Sequence, residues 1–148
     1  MTVTYSATTA KGHSLSSELR VAVARLNRRL RAEKPDGQVS DAQMSALFML
    51  AKHGPQTLGE LSELERVTPP SMNRTIGCLA DAGYVTREPS PEDRRKVVIA
   101  PTPSGLALLA ETRRRRDAWL DGQLHELDPA QRAALTEVIE LLRRLADA

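Results

Sequence analysis

The sequence predicts a mainly helical protein with one small β-hairpin, and three observations point to this fold class. Apolar residues recur at the three- and four-residue spacing of helices along most of the chain. Two short segments rich in β-branched residues lie in its middle, separated by a polar loop. Aromatic residues make up only 3% of the sequence, which argues against an all-β sandwich.

Length and composition describe one ordinary globular chain. Its 148 residues suit a single domain, and 41% hydrophobic with 27% charged residues excludes disorder as the main state. Cys78 is the single cysteine, so no internal disulfide forms. Residues 1–14 lack the apolar stretch of a signal peptide, and no apolar run is long enough for a membrane span. We therefore expect a cytoplasmic protein with no membrane partner.

The chain is expected to begin with a flexible arm, residues 1–14, followed by a helix over residues 15–33. One stripe of this helix is apolar and consists of Leu15, Leu19, Ala22, Leu26 and Leu30. Proline and glycine both occur in residues 34–37, and both disfavour a helix, so the helix is predicted to end there.

Capping motifs predict where the next two helices start. Ser40 with Gln43 fits a capping box, in which the first residues of a helix exchange side-chain and backbone hydrogen bonds. Gly54 and Pro55 end this helix, and Thr57 then repeats the capping pattern three residues before a glutamate. A second, shorter helix is therefore predicted directly after the first.

A tight turn separates this short helix, residues 57–65, from a longer one over residues 68–82. Thr68 is a good N-cap, and Pro69 suits the first helical position, where its missing N–H costs nothing. Gly83 is expected to end the helix in a left-handed conformation. Two helices joined in this way indicate a helix-turn-helix.

The β-prone segments, residues 84–87 and 96–99, flank a polar loop that contains proline, which predicts a hairpin over residues 84–100. A helix-turn-helix followed directly by a hairpin is the arrangement of a winged helix. The recognition helix would be residues 68–82, and the wing would be residues 88–95.

Two more helices are predicted, one over residues 102–124 and one starting at Asp128. The last helix has an apolar stripe that includes Leu135, Val138, Leu142 and Leu145. Helices at opposite ends of the chain must bury their stripes on each other or on a partner chain. Residues 15–38 and 102–148 are therefore expected to form a helical region of their own, beside a winged helix-turn-helix domain at residues 39–101.

The start of the predicted recognition helix has side chains suited to DNA. Asn bonds adenine bidentately and Arg bonds guanine in the major groove, so Asn73 and Arg74 are candidates for base contacts. Ser71 and the free backbone N–H groups at the helix start are candidates for phosphate contacts. No acidic residue, which would repel phosphate, occurs in residues 67–80. The predicted contact residues on this helix are Thr68, Pro69, Pro70, Ser71, Asn73 and Arg74.

The wing is predicted to contact DNA through Arg94, Arg95 and Lys96, three consecutive cations near the hairpin tip. A narrow minor groove concentrates negative potential and favours arginine, which suits this cluster. Asp93 is expected to orient one of the arginines through a charge-assisted hydrogen bond. A hairpin tip can also be charged simply for solubility. The cluster therefore indicates DNA contact only because it follows a helix-turn-helix.

Taken together, these motifs resemble the MarR (multiple antibiotic resistance regulator) family of winged helix-turn-helix transcriptional regulators, from Leu15 to the C-terminus. The stretches that carry the resemblance are residues 54–61, 73–79, 82–85, 93–97 and 102–105. The Asp-x-Arg pair of the family's wing matches Asp93 and Arg95. The family's usual Leu-Thr-x-x-Gly follows the wing, with Pro101 in place of the leucine.

The resemblance implies a homodimer that binds a palindromic operator in double-stranded DNA, without a cofactor. It also implies a dimer interface built from the first helix and the last two helices, and release from DNA by a small anionic or phenolic ligand. Repression is the commoner outcome in families of this kind, which favours a repressor over an activator.

Two other classes of function fit the sequence less well. The three histidines, His13, His53 and His125, are scattered along the chain, and the sequence contains no hydrolase, metalloprotease or phosphate-binding motif. Both observations argue against an enzyme. A winged helix can also serve as a protein–protein interaction module without DNA binding. Acidic residues on the recognition helix and wing would favour that alternative, whereas residues 67–80 contain none and three consecutive cations lie near the hairpin tip.

Cys78 lies on the predicted recognition helix and raises the possibility of a redox sensor. The chain has no second cysteine to resolve an oxidised thiol, so a small, partly buried and inert thiol is the favoured interpretation.

Arg113 falls in the middle of an apolar side of its predicted helix, which predicts a guanidinium that is at least half-buried. That side consists of Leu106, Leu109, Ala110, Leu120 and Leu124. A buried charge needs a partner. An ion pair with an acidic residue of the same or the other subunit is the first interpretation, and an anionic ligand bound between the dimerisation and DNA-binding regions is the second. The third is that helix bending or a local shift turns Arg113 to solvent.

Overall fold

A computed structural model describes residues 14–35, 37 and 39–148. The predicted N-terminal arm therefore lies outside the described residues, apart from Ser14. The elements are α1 Leu15–Ala32, α2 Asp41–His53, β1 Gln56–Thr57, α3 Leu58–Glu65, α4 Pro69–Asp81, β2 Val85–Pro89, β3 Val97–Pro101, α5 Pro103–Leu124 and α6 Pro129–Ala146. The mainly helical fold with a small β-sheet is as predicted.

The chain divides into two compact units, one ending at Ala32 and the other comprising Glu33–Ala148. The described part of the first unit is essentially α1, which has no buried residue. Glu18 in its first turn and Arg29 and Arg31 in its last turn complement the helix dipole. The side chains of its predicted stripe remain accessible in the single chain, with Leu26 48% exposed.

The hydrophobic core of the second unit lies among α2, α3, α4 and the sheet. Its fully buried large side chains include Leu47, Leu50, Leu61, Ile76, Leu79 and Ile99. On α4 the buried residues Met72, Ile76 and Leu79 recur at intervals of four and three, so one face of this helix packs inward and the opposite face is exposed.

The predicted caps define the helix ends to within a residue or two. At α2, Ser40 Oγ accepts from the Gln43 N–H and Gln43 Oε1 accepts from the Ser40 N–H, at 3.2 and 3.1 Å. Gly83 has φ +80°, as predicted for a left-handed stop. The N–H groups of Gly83 and Tyr84 donate to the carbonyls of Ala80 and Leu79, which is the Schellman pattern that ends a helix.

The sheet has three strands in the order β1-β3-β2, one more than the predicted hairpin. β1 pairs antiparallel with β3 through Gln56 opposite Ile99. β2 pairs with β3 from Val85 opposite Pro101 to Pro89 opposite Val97. The loop of the wing therefore begins after Pro89, later than in the predicted wing of residues 88–95, because residues 88 and 89 belong to β2.

The start of α5 is attached to the turn between α4 and β2. Thr102 Oγ1 donates to the Gly83 carbonyl at 2.6 Å, and the Thr102 N–H donates to the Tyr84 carbonyl at 3.0 Å. Gly105 is buried, and a Cβ built on it would collide with the Tyr84 carbonyl oxygen and press on Leu47. Only glycine allows the first turn of α5 to approach this backbone so closely.

Within the single chain, α5 packs through a side that lies next to the apolar side identified on the helical wheel. Its buried residues are Gly105, Leu108 and Thr112, whereas Leu106 and Arg113 are exposed. The expectation that Arg113 is at least half-buried is therefore not met in the single chain. α6 has no buried residue, and Arg132 in its first turn donates to the Leu124 carbonyl at 2.7 Å. No helix in the described part of the chain is long and apolar enough to cross a membrane.

Candidate nucleic-acid interface

The turn between α3 and α4 is closed by a non-glycine residue in the left-handed region. Arg66 has φ +54°, and its N–H donates to the Glu63 carbonyl at 3.2 Å. The next N–H, that of Val67, donates to the Ser62 carbonyl at 3.1 Å. Across from this turn, Ser45 Oγ on α2 donates to the Glu65 carboxylate at 2.8 Å. These contacts end α3 and fix its C-terminal end against α2.

The first turn of α4 is preorganised, but it has no spare backbone donors. Thr68 Oγ1 accepts from the Ser71 N–H at 3.4 Å, and the Thr68 carbonyl accepts from the Met72 N–H at 3.0 Å. Pro69 and Pro70 have no N–H at all. Residues 69–72 therefore have no unbonded N–H for the predicted phosphate contacts, because two of them are prolines and the other two N–H groups are bonded to Thr68.

The side chains at the start of α4 form an exposed surface. Because Met72 and Ile76 point into the core, Asn73 and Arg74 face outward. Pro69 and Pro70 are also exposed, Ser71 is half-buried, and its carbonyl accepts from Thr75 Oγ1 at 3.2 Å. This surface has the donors that base edges require, and residues 67–80 include no acidic side chain.

The loop between β2 and β3 presents its cations to solvent. The Ser90 N–H donates to the Lys96 carbonyl at 2.7 Å, and the Lys96 N–H donates to the Asp93 carbonyl at 3.0 Å, which closes the loop. The N–H and Nε of Arg95 donate to Asp93 Oδ1 at 3.1 and 3.4 Å, so the arginine that Asp93 orients is Arg95. The Arg95 side chain is 93% exposed, which leaves the rest of its guanidinium available to a partner.

Arg87 connects the two predicted DNA-contacting segments, and the sequence analysis missed it. Its Nη2 donates to the Asn73 carbonyl at 3.2 Å, so β2 is joined to α4 beside the predicted base-contacting residues. One feature of the sequence indicates that Arg87 lies on the core-facing side of β2. Arg87 follows the core residue Val85 by two positions, and residues two apart on a strand share a face.

Arg113 and Cys78 are both exposed in the single chain. Arg113 is exposed, and among the described residues it forms no ion pair; the neighbouring pairs join Glu111 to Arg114 and Arg115. Hydrogen bonds from Arg114 and then Arg115 lower the pKa of Glu111 from 4.5 to about 2. Cys78 is exposed rather than partly buried, because the inward face of α4 is occupied by other residues.

Comparison with known proteins gives a consistent result. The model of the MarR family matches residues 39–97. A helix-turn-helix-type transcriptional regulator of Mycobacterium leprae is 44% identical over 133 residues, which cover 90% of this chain and 93% of that protein.

Solved structures show the same fold. A transcriptional regulator from Pseudomonas aeruginosa superposes with a TM-score of 0.81 at 29% identity, covering 90% of this chain and 95% of that one. BpsR of Bordetella bronchiseptica, whose DNA binding is regulated by 6-hydroxynicotinic acid, gives a TM-score of 0.63 at 26% identity, covering 93% and 99% of the two chains.

Proposed function

Because the chain belongs to the MarR family of transcriptional regulators, we propose that it is a repressor that binds a palindromic operator as a homodimer and is released by a small anionic or phenolic ligand. The observation that carries this proposal is the exposed pair Asn73 and Arg74 at the start of α4, with Arg87 of β2 hydrogen-bonded to the Asn73 carbonyl.

The start of α4 and the wing would contact different grooves of the DNA. Asn73 and Arg74 would contact base edges in the major groove, with Thr68, Pro69, Pro70 and Ser71 packed against the adjoining backbone. Arg94, Arg95 and Lys96 would contact the neighbouring minor groove and its phosphates, with Asp93 orienting Arg95. Since the start of α4 has no spare backbone donors, phosphate contacts would depend on side chains.

The homodimer is supported by apolar side chains that the single chain does not cover. They lie on α1, α5 and α6 and include Leu19, Leu26, Leu106, Val138, Ile139, Leu141 and Leu145. A second copy would bury them, so residues 15–38 and 102–148 would form the dimerisation region beside the DNA-binding domain at 39–101. In a two-fold dimer, half-site centres would be about 10 bp apart or a multiple of that distance.

Repression follows physically from such a complex. A dimer seated on two half-sites covers both grooves over that stretch, so an operator that overlaps a promoter would be closed to RNA polymerase. Release by a ligand is supported by the Bordetella relative, whose regulator is an aromatic acid. Arg113 is the residue of this chain that we propose as the ligand's anion partner, because its exposed guanidinium has no ion pair within the described residues.

Selection of bound duplexes from random DNA tests the operator, and the expected outcome is a palindrome with the spacing given above. The absence of any enriched sequence would contradict the proposal. For the ligand, salicylate and 6-hydroxynicotinic acid would be titrated against the protein–operator complex.

The variant Arg113→Leu is expected to stay bound at anion concentrations that release the wild type, while sedimentation shows an intact dimer. Arg115→Leu removes the same charge from the same helix and serves as the matched control. If the wild type ignores both anions, or if Arg113→Leu responds normally, Arg113 is not the ligand's partner.

A further inference from the structure

The register of the sheet places the Arg87 side chain on the face that packs against the helices. Arg87 lies opposite Ile99, which is buried, and it follows the buried Val85 on the same strand face. An arginine at this position cannot bury its charge, and Arg87 is exposed, with its guanidinium against α4.

The guanidinium meets α4 at a single turn, between Asn73 and Gly77. Arg87 Nη2 donates to the Asn73 carbonyl at 3.2 Å. A Cβ built on Gly77 would lie 3.7 Å from the same nitrogen, so the guanidinium lies directly beside this glycine. A long side chain at position 77 would occupy that space.

The contact between Arg87 and α4 lies on β2 just before the exposed part of the hairpin. β2 is an edge strand, because its only neighbour within the sheet is β3. Beyond Arg87, its remaining residues Glu88 and Pro89 are exposed, and the loop that follows presents Arg94 and Arg95. Arg87 is thus attached to α4 at the point where the hairpin leaves the helices.

We infer that Arg87 is a positioning residue that sets the wing against the recognition helix, and so fixes the separation between the contacts of Arg95 and those of Asn73 and Arg74. This inference rests on the proposed function. It assigns Arg87 a role through the protein backbone, which is distinct from the direct contact to phosphate that its charge alone would suggest.

A double-mutant cycle separates these two roles. Arg87→Met keeps the length of the stem and removes the donors. If Arg87 positions the wing, Arg95→Ala weakens operator binding by about tenfold in the wild type but by less than about threefold in Arg87→Met, because the wing has already lost its alignment. Equal effects of Arg95→Ala in both backgrounds, with a salt slope lowered by about one unit in Arg87→Met alone, would show a phosphate contact and overturn the inference.

Amide hydrogen exchange of the free protein gives a readout without DNA. Arg87→Met is expected to speed exchange at the outer β2–β3 pairs, near Glu88 and Val98, while core amides of α2 exchange as in the wild type. Gly77→Ala is the matched control and is expected to change neither readout, since 3.7 Å is an ordinary contact.

The outcomes distinguish the two proposals. If the wild type selects no DNA sequence, the proposed function fails, and the exchange experiment still decides whether Arg87 holds the wing. If the wild type binds selectively but Arg87→Met leaves both exchange and coupling unchanged, the inference alone is wrong.

Discussion

The helices of the proposed DNA-binding domain and those at the ends of the chain differ in how many of their residues are buried within a single chain. α2, α3 and α4 share a core in which Leu47, Leu61 and Ile76 are fully buried. α1 and α6 have no buried residue between them, although both are amphipathic. The surface proposed to face DNA therefore rests on contacts within one chain, whereas the terminal helices leave their apolar sides uncovered in the single chain. Four predictions test this contrast.

The largest expected effect is the loss of residues 1–33. Without the apolar stripe of α1, the chain is expected to sediment as a monomer and to lose measurable operator binding, because two half-sites are then no longer bound together. The remaining chain should still unfold cooperatively, since its core is unchanged. A well-folded dimer without these residues would show that α1 is not part of the interface.

The next contrast uses one chemical change at two places. Leu47→Ala empties a fully buried site and is expected to lower the free energy of unfolding by about 2–5 kcal/mol. Leu26→Ala removes the same atoms from a half-exposed site and is expected to raise the dimer's dissociation constant instead. Denaturant unfolding at two protein concentrations, together with sedimentation, measures both. Equal losses of stability, independent of concentration, would contradict the contrast.

A smaller effect is expected at the DNA-facing surface itself. Arg74→Ala should weaken operator binding by about 1–3 kcal/mol and relax base preference at one position in each half-site. Arg144→Ala on α6 removes the same charge far along the chain and should leave base preference unchanged. Binding assays on operator variants measure this, and an Arg74→Ala protein that is as selective as the wild type would exclude Arg74 as a base contact.

The smallest effect concerns Glu111, whose folded-state pKa is lowered to about 2 by Arg114 and Arg115. A lowered carboxyl pKa stabilises the fold above the unfolded value of 4.5, and that contribution is lost as the pH falls toward 2. The melting temperatures of wild type and Glu111→Gln should therefore differ slightly at pH 6 and converge between pH 4.5 and 2. The exposure of all three side chains keeps the difference small.

Sequence motifs of a few consecutive residues predicted most of the helices. They did not predict contacts between residues that are far apart in the sequence. Thr68, Thr102 and Asp128 were identified as helix caps because capping involves only three consecutive positions. β1 was missed because a strand of two residues has no periodicity and exists only through its partner β3. Arg87 was assigned to a strand without a role, since its acceptor is the Asn73 carbonyl, 14 positions away.

The side of α5 that packs within one chain did not emerge from its apolar stripe. A helical wheel weighs large apolar side chains, so the side it selects has the exposed Leu106 near its centre, while Leu109 at its edge packs against the core. The side that packs is centred on Gly105, Leu108 and Thr112, and the missing side chain of Gly105 permits close backbone approach. The candidate DNA-contacting residues, by contrast, could be named from their positions along α4 and the wing, and their contacts with DNA remain predictions.

The two prolines at the start of α4 also bear on how such a protein would search a genome. A helix start with free amides holds any phosphate, whatever the sequence, and so lengthens each stop on random DNA. Pro69 and Pro70 remove that sequence-independent grip and fix the backbone of the first turn before DNA arrives. If α4 reads DNA as proposed, its start contributes less of the sequence-independent affinity, and that part of binding falls to side chains such as those of Arg94, Arg95 and Lys96.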